Sequence, residues 1–224
     1  MTIPSTKDLV MAACHFGHPK QKWHPGMKSF IYGTRKGIHI FDIEQTHAHL
    51  TDVVTELKKL QETGKDILFV STKQQSTAFI EELCESLKQP HVTKKWIPGL
   101  LTNWNTLKQR IKYYKELKEG FATGSIEKYT KKEQTALRKQ MMKLETALSG
   151  VAEMKGAPAA VFVIDGVRDN VAVKEANRLK IPVYGICDTN CDPSEFTNFI
   201  PANDDAVSSI ALILNTIKQN LINK

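Results

Sequence analysis

Much that would announce a function is missing from these 224 residues. Four cysteines (Cys14, Cys84, Cys187, Cys191) are too few for a disulfide scaffold in a chain this long. Prolines and glycines, nine and twelve, are too sparse for a low-complexity linker, and no internal repeat is visible. No apolar run exceeds six residues, against roughly 20 needed to cross a bilayer, so no membrane partner is expected. The six residues LVMAAC after Lys7 make too short an apolar stretch for a secretory leader. A cytoplasmic or organelle-encoded protein with reduced thiols is the default expectation. Nucleotide and hydrolase signatures are missing too: no G-x-G-x-x-G after a strand, no G-x-x-x-x-G-K-[ST], no G-x-S-x-G.

Positive charge is what the chain has in excess. Thirty-one Lys and Arg face 24 Asp and Glu, for a net +7. Residues 1–36 hold six cations against one acid and residues 94–145 thirteen against five, which leaves the remainder at −6. Two basic segments on a weakly acidic body are how a polyanion-binding surface confined to particular elements reads. The alternative is a solvated lysine-rich face.

The hydrophobic pattern gives the body. STKDLVMAAC (5–14) reads as a short helix with Ser5 as N-cap and Asp8 three positions on. Residues 16–37 are broken by Gly17, Pro19, Pro25 and Gly26 and read as extended or looped, with Phe16, Trp23, Phe30 and Tyr32 among the cations. Strands then alternate with helices: strand 38–43, helix 44–63, strand 66–71, helix 73–88, and after a middle segment strand 159–165, helix 171–179, strand 182–188, strand 198–201 and helix 203–222. Units of this length imply a parallel sheet with helices on both faces, an α/β fold. In the middle, Leu107, Ile111, Tyr114 and Leu117 recur at helical spacing, as do Leu137, Met141, Leu144 and Leu148. Two helices with such narrow seams predict an antiparallel hairpin, the seams burying each other and the whole standing off the sheet as an arm. The expected division is a body of residues 1–102 and 150–224, with an arm at about 15–37, and a hairpin insertion at 103–149.

Three chemistries compete for the polar residues. Ligands of open α/β sheets bind at strand C-terminal ends, which here carry Ser71-Thr72-Lys73, Asp165, Asp188-Thr189-Asn190 and Asn203-Asp204-Asp205. Those aspartates allow a metal-dependent nucleotide enzyme, but the same residue types cap helices and shape turns. Cys14, His15 and His18 with Cys187 and Cys191 offer metal ligands, although C-x3-C replaces the usual C-x2-C. The basic, aromatic-bearing stretches 19–36 and 93–112 fit RNA, through cations on phosphate, flat side chains on bases, and Asn or Thr on ribose hydroxyls. The candidate RNA contacts are Lys20, Lys22, Trp23, Lys28, Arg35 and Lys36 in the first, and Lys94, Lys95, Asn103, Lys108, Arg110 and Lys112 in the second. Trp96 and Trp104 read equally as core residues or as RNA-facing ones. A protein-only scaffold docking through the hairpin is the remaining class.

HFGH after the first helix, GTRKGIHIFD, FVSTKQQ, the W-x-x-G-x-LTN of 96–103, IPVYGICDTNCDP and IPANDDA occur in this order from residue 15 to 206. In this the chain closely resembles the family of the second protein of the bacterial small ribosomal subunit, over essentially its whole length. The resemblance implies a Rossmann- or flavodoxin-like parallel sheet with a protruding coiled-coil hairpin and no catalytic activity; no catalytic residue, cofactor or metal is expected. It implies binding to small-subunit rRNA, and to neighbouring ribosomal proteins including the large first protein that recruits messenger RNA. The sequence departs from the family at Gln21-Lys22, where a basic pair is usual, at Pro98 before Gly99, and at Ser71 in place of a glycine.

Overall fold

In a computed structural model, which describes residues 2–222, the first helix starts at the expected reciprocal cap. Ser5 Oγ accepts from the Asp8 N–H at 3.3 Å and the Asp8 carboxylate accepts from the Ser5 N–H at 3.0 Å. Helix α1 (Thr6–Met11) stops short of the predicted Cys14, because Ala13 takes a positive φ of 63°.

The next segment, expected to be extended or looped, is largely extended and ordered into a sheet. Strands β1 (Phe16–Pro19), β2 (Ile31–Arg35) and β3 (Ile38–Phe41), with a 3-10 turn at Pro25–Phe30, form a separate antiparallel sheet in the order β1-β3-β2. The predicted strand at 38–43 therefore belongs to this sheet and not to the parallel one. Lys36 and Gly37, both at positive φ (51° and 80°), make the two-residue turn between β2 and β3, as a twisted hairpin requires. Register shifts interrupt both pairings, and so the sequence shows no clean alternation there.

Helix α2 (Ile43–Glu62), capped by Asp42, leads into the main sheet. Its strands are β4 (Ile67–Val70), β5 (His91–Val92), β6 (Ala160–Val163), β7 (Val183–Cys187) and β8 (Asn198–Pro201), all parallel, in the order β5-β4-β6-β7-β8. The short edge strand β5 had no sequence signal. The second of the five lies outside the first, so the order reverses between β4 and β6, the arrangement of a doubly wound fold. ILFV and AVFV are buried along their whole length, as strands covered on both faces must be.

Two apolar clusters cover the two faces. One joins α1, α2, α3 (Gln74–Leu87) and α7 (Val207–Ile222) to Ile67, Phe69, Phe162 and Ile186. The other joins α6 (Asn170–Arg178) to Leu68, Val70, Val161 and Val183, and takes in Leu107, Ile111 and Tyr114 of α4 (Trp104–Ala122) and Leu148 of α5 (Lys131–Leu148). The start of α4 and the end of α5 are thus core elements of the sheet, contrary to seams that only bury each other. Along α5 Leu148 is buried, whereas Leu137, Met141 and Leu144 are half-buried. The two helices run antiparallel in contact: Tyr114 Oη reaches Glu145 at 3.4 Å and the Arg138 guanidinium lies over the Phe121 ring. Thr130 caps α5 as expected, in a reciprocal box with Glu133. Residues from the two ends of the chain meet where the Thr2 N–H donates to Asn220 Oδ1 and Asn220 Nδ2 donates to the Thr2 carbonyl, both at 2.8 Å.

Candidate nucleic-acid interface and the crest of the sheet

The N-terminal sheet is pinned beside β7 and β8 by its backbone. The His18 N–H donates to Thr189 Oγ1 at 2.8 Å and the His24 N–H to the Thr189 carbonyl at 2.7 Å. Phe30 packs edge-on against Phe199 of β8. Gly17 makes the approach possible, since a Cβ there would lie 2.5 Å from Thr189 Cγ2. The HFGH and DTN stretches are thus two halves of one joint, which leaves the cationic side chains outside. Lys20, Lys22, Lys28, Arg35 and Lys36 are all exposed, and Trp23 tilts over His39 with 37% of its surface open. The Lys20 N–H bonds to the Gly37 carbonyl at 3.0 Å, which sets Lys20 beside the Lys36-Gly37 turn. Tyr32, 82% exposed, stands among them; its aromatic character was visible in the sequence but its orientation was not.

The second basic segment leaves from β5, the opposite edge of the sheet. Lys94 and Lys95 are exposed, and Asn103, at the N-cap of α4, has an exposed side chain. Lys108 and Lys112 lie one turn apart on one side of α4, with Arg110 on the other by helical spacing. The twelve candidates therefore fall on two separate surfaces. Trp96 is not among them in function: it is 7% exposed and part of the core, which resolves its two readings, and Trp104 packs half-buried against the same cluster.

The W-x-x-G-x-LTN stretch is organised by a residue that no sequence motif singled out. Glu175 of α6, nearly buried, accepts from Trp96 Nε1 (3.0 Å), the Gly99 N–H (2.7 Å), the Leu101 and Thr102 N–H groups (3.0 and 3.1 Å) and Thr102 Oγ1 (3.1 Å). Burial pushes its carboxyl upward, but these donors outweigh it and hold the group below the ordinary glutamate range. Gly99 contributes the positive φ of 88° that the turn needs. The available signal was an acid adjoining Ala172, Val173 and Ala176 on the buried stripe of α6.

At the switch point between β4 and β6, where doubly wound sheets take their ligands, this chain places its own lysine. Lys73, 6% exposed, meets Asp165 (2.8 Å), Asp204 (2.7 Å) and Asp205 (2.8 Å). Burial works to lower the Lys73 pKa, yet the Asp204 charge and the bonds to all three carboxylates raise it, so it stays charged. Asp165 also accepts from the Val167 and Arg168 N–H groups, and Asp169 accepts from the Thr72 N–H and hydroxyl. The aspartates read from sequence as catalytic candidates are engaged in turns, caps and one buried cation.

Asp204 is pushed up to about 8 by its burial and by Asp188 and Asp165, against the pull of Lys73. His18 Nδ1 sits 3.0 Å from Asp188 Oδ1, a bond that raises its pKa against burial. His18, Asp188 and Asp204 present ligand atoms within 4.8 Å of one another and could hold a cation. The thiols considered with His18 do not join this group: Cys14, Cys187 and Cys191 are buried free thiols, and burial raises the pKa of Cys14 and Cys187.

Comparison with known proteins agrees with the resemblance. The family model described as "Ribosomal protein S2" matches residues 9–223. A "Small ribosomal subunit protein uS2" of a Nitratiruptor species is 42% identical over 216 residues, 96% of this chain and 81% of the relative. Proteins of the same description from Baumannia cicadellinicola subsp. Homalodisca coagulata and from Vibrio cholerae are 43% and 40% identical, covering 94% and 98% of this chain and 90% of each relative. With a match of this extent, the chain belongs to the ribosomal protein S2 family.

Proposed function

We propose that this chain is a structural component of the small ribosomal subunit. It binds small-subunit rRNA and neighbouring ribosomal proteins, and catalyses no reaction. The observation that carries the reading is the arm at about 15–37: its backbone is fixed to Thr189 while Lys20, Lys22, Trp23, Lys28, Arg35 and Lys36 face outward. Fixed cations contact phosphate without the entropy cost of ordering a loose tail. The second surface, Lys94, Lys95, Asn103, Lys108, Arg110 and Lys112, extends the contact along the segment that leads into α4 and onto its first turns. Helices α4 and α5 form an antiparallel coiled-coil hairpin, the insertion at 103–149, whose distal part stands off the body. Among the neighbouring proteins is the large first protein that recruits messenger RNA, and the site of action is a cytoplasmic or organelle ribosome. No helix among the described residues is long and apolar enough to cross a membrane.

The test is salt-dependent binding to small-subunit rRNA after neutralising Lys20, Lys22, Arg35 and Lys36 together. Up to four phosphate contacts are lost, each about 0.9 in the log–log slope on duplex or about 0.7 on single strands, with the melting temperature unchanged because all four side chains are exposed. An unaltered slope removes the arm from the interface.

A further inference from the structure

Acidic side chains gather in one groove of the body. The basic arm lies beside β8, whereas a groove of about 660 Å³ runs along the β5 side, between α3 and the 3-10 turn Ser149–Val151. The buried Cys84, Pro90 and Met154 form its apolar part, and Asp66, Glu81, Glu85 and Glu153 line it with a single cation, Lys88. A second cavity of about 230 Å³ shares Glu81, His91 and Ser149 with the first and adds Glu145 and Lys94. The joined groove carries five carboxylates against two lysines on a chain whose net charge is +7. His91 adds no compensating charge, since burial lowers its pKa. Some acids have partners: Glu81 accepts from Thr93 and lies 3.8 Å from Lys94, Glu145 accepts from Tyr114, and Glu153 meets Lys115 at 2.9 Å. Asp66 and Glu85 take part in no ion pair among the described residues.

We infer that this groove docks an extended lysine- or arginine-rich peptide segment of a neighbouring protein. RNA is the wrong occupant, because five carboxylates against two lysines repel phosphate. An apolar floor under an acidic rim matches the build of Lys and Arg, which lay methylene stems on apolar surface and keep the charged head at the rim. The volume falls within the range of clefts that enclose most of a ligand's surface. The inference does not rest on the arm binding rRNA.

The experiment is fluorescence anisotropy of the full chain with a fluorescein-labelled octapeptide of alternating Arg and Ala, beside one of alternating Glu and Ala. Saturable binding of the basic probe alone is expected, weakening as salt rises. Glu81→Gln/Glu85→Gln/Glu153→Gln is expected to bind it at least tenfold more weakly, and Ser149→Phe, which fills the groove without changing its charge, likewise. Both variants keep the wild-type melting temperature and rRNA affinity. In the wild-type chain the basic probe shields Glu81, Glu85 and Glu153 from carbodiimide–amine modification, a readout that needs no variant. The inference is overturned by wild-type probe affinity in either variant, by no binding of the basic probe, or by equal modification with and without it. A triple variant that gains rRNA affinity also overturns it, the acids then serving to keep RNA off this edge.

Discussion

Replacing Glu175 by Gln changes one atom and tests how the hairpin is attached. The carboxylate accepts from Trp96 Nε1 and the Gly99 N–H on one oxygen, and from the Leu101 N–H, the Thr102 N–H and Thr102 Oγ1 on the other. In either orientation the new NH₂ group faces two N–H donors that cannot reverse. Two buried donors lose an acceptor at about 1–3 kcal/mol each, and the remaining bonds lose the charge that strengthened them, for a total of about 3–5 kcal/mol. In a chain of this size that lowers the melting temperature by about 6–20 °C. The assay is thermal unfolding by circular dichroism, with amide exchange at Gly99, Leu101 and Thr102 rising more than exchange in β6. The sign with pH is fixed as well. The folded carboxyl is held below its ordinary value, so its contribution is full above the unfolded glutamate pKa of about 4.3 and fades as pH falls through the lower folded value. The Gln variant lacks that acid-side decline. A Gln variant melting within about 2 °C of wild type, with the same pH profile, refutes the assignment of Glu175 as the anchor.

Replacing residues 118–136 by a short Gly/Ser link is expected to leave the body folded, whereas removing 106–146 deletes Leu107, Ile111 and Tyr114 from the sheet's cluster; at about 2–5 kcal/mol per large core side chain the larger cut costs most of the stability, and equal melting of both deletions would contradict this. Lys73→Met strands Asp165 and Asp204 without their cation and is expected to cost about 3–5 kcal/mol, read by urea unfolding. Gly17→Ala forces the arm off Thr189 and is expected to open residues 12–37 to protease while the main sheet keeps its exchange protection; an unchanged cleavage pattern would mean that the joint tolerates a side chain. Asp165→Asn is expected to abolish no reaction, and nucleotide hydrolysis by the pure protein that this change removes would overturn the structural role.

The parallel sheet was legible because ILFV and AVFV are continuous apolar runs, and the caps at Ser5 and Thr130 because each pairs a hydroxyl with an acid three residues on. Of the antiparallel sheet only β3 was legible, since β1 and β2 have no buried face, pair through shifted registers and contain glycine or proline. The roles of Glu175 and Lys73 were hidden for a different reason: each is a charge whose partners lie dozens of residues away, and no local period encodes such a pairing. Trp96 is the converse case, an indole in a basic segment whose N–H is spent on a buried carboxylate. Motif order alone pointed to the family, while the physical reason for each motif required the fold.

The joint between the arm and the sheet also sets a timetable. Residues 14–24 are held by Thr189 and Asn203, α1 is held through Ala12 by Ser208, and Thr2 is held by Asn220. During synthesis the cationic arm emerges before Thr189 and finds its seat only after about 170 more residues have followed. At about 5–20 residues per second that is a wait of about 10–35 s with exposed lysines and no attachment to the main sheet. A later-made part of the chain therefore seats an earlier-made polycation on the sheet, and a product arrested before residue 189 carries the charge without that seat.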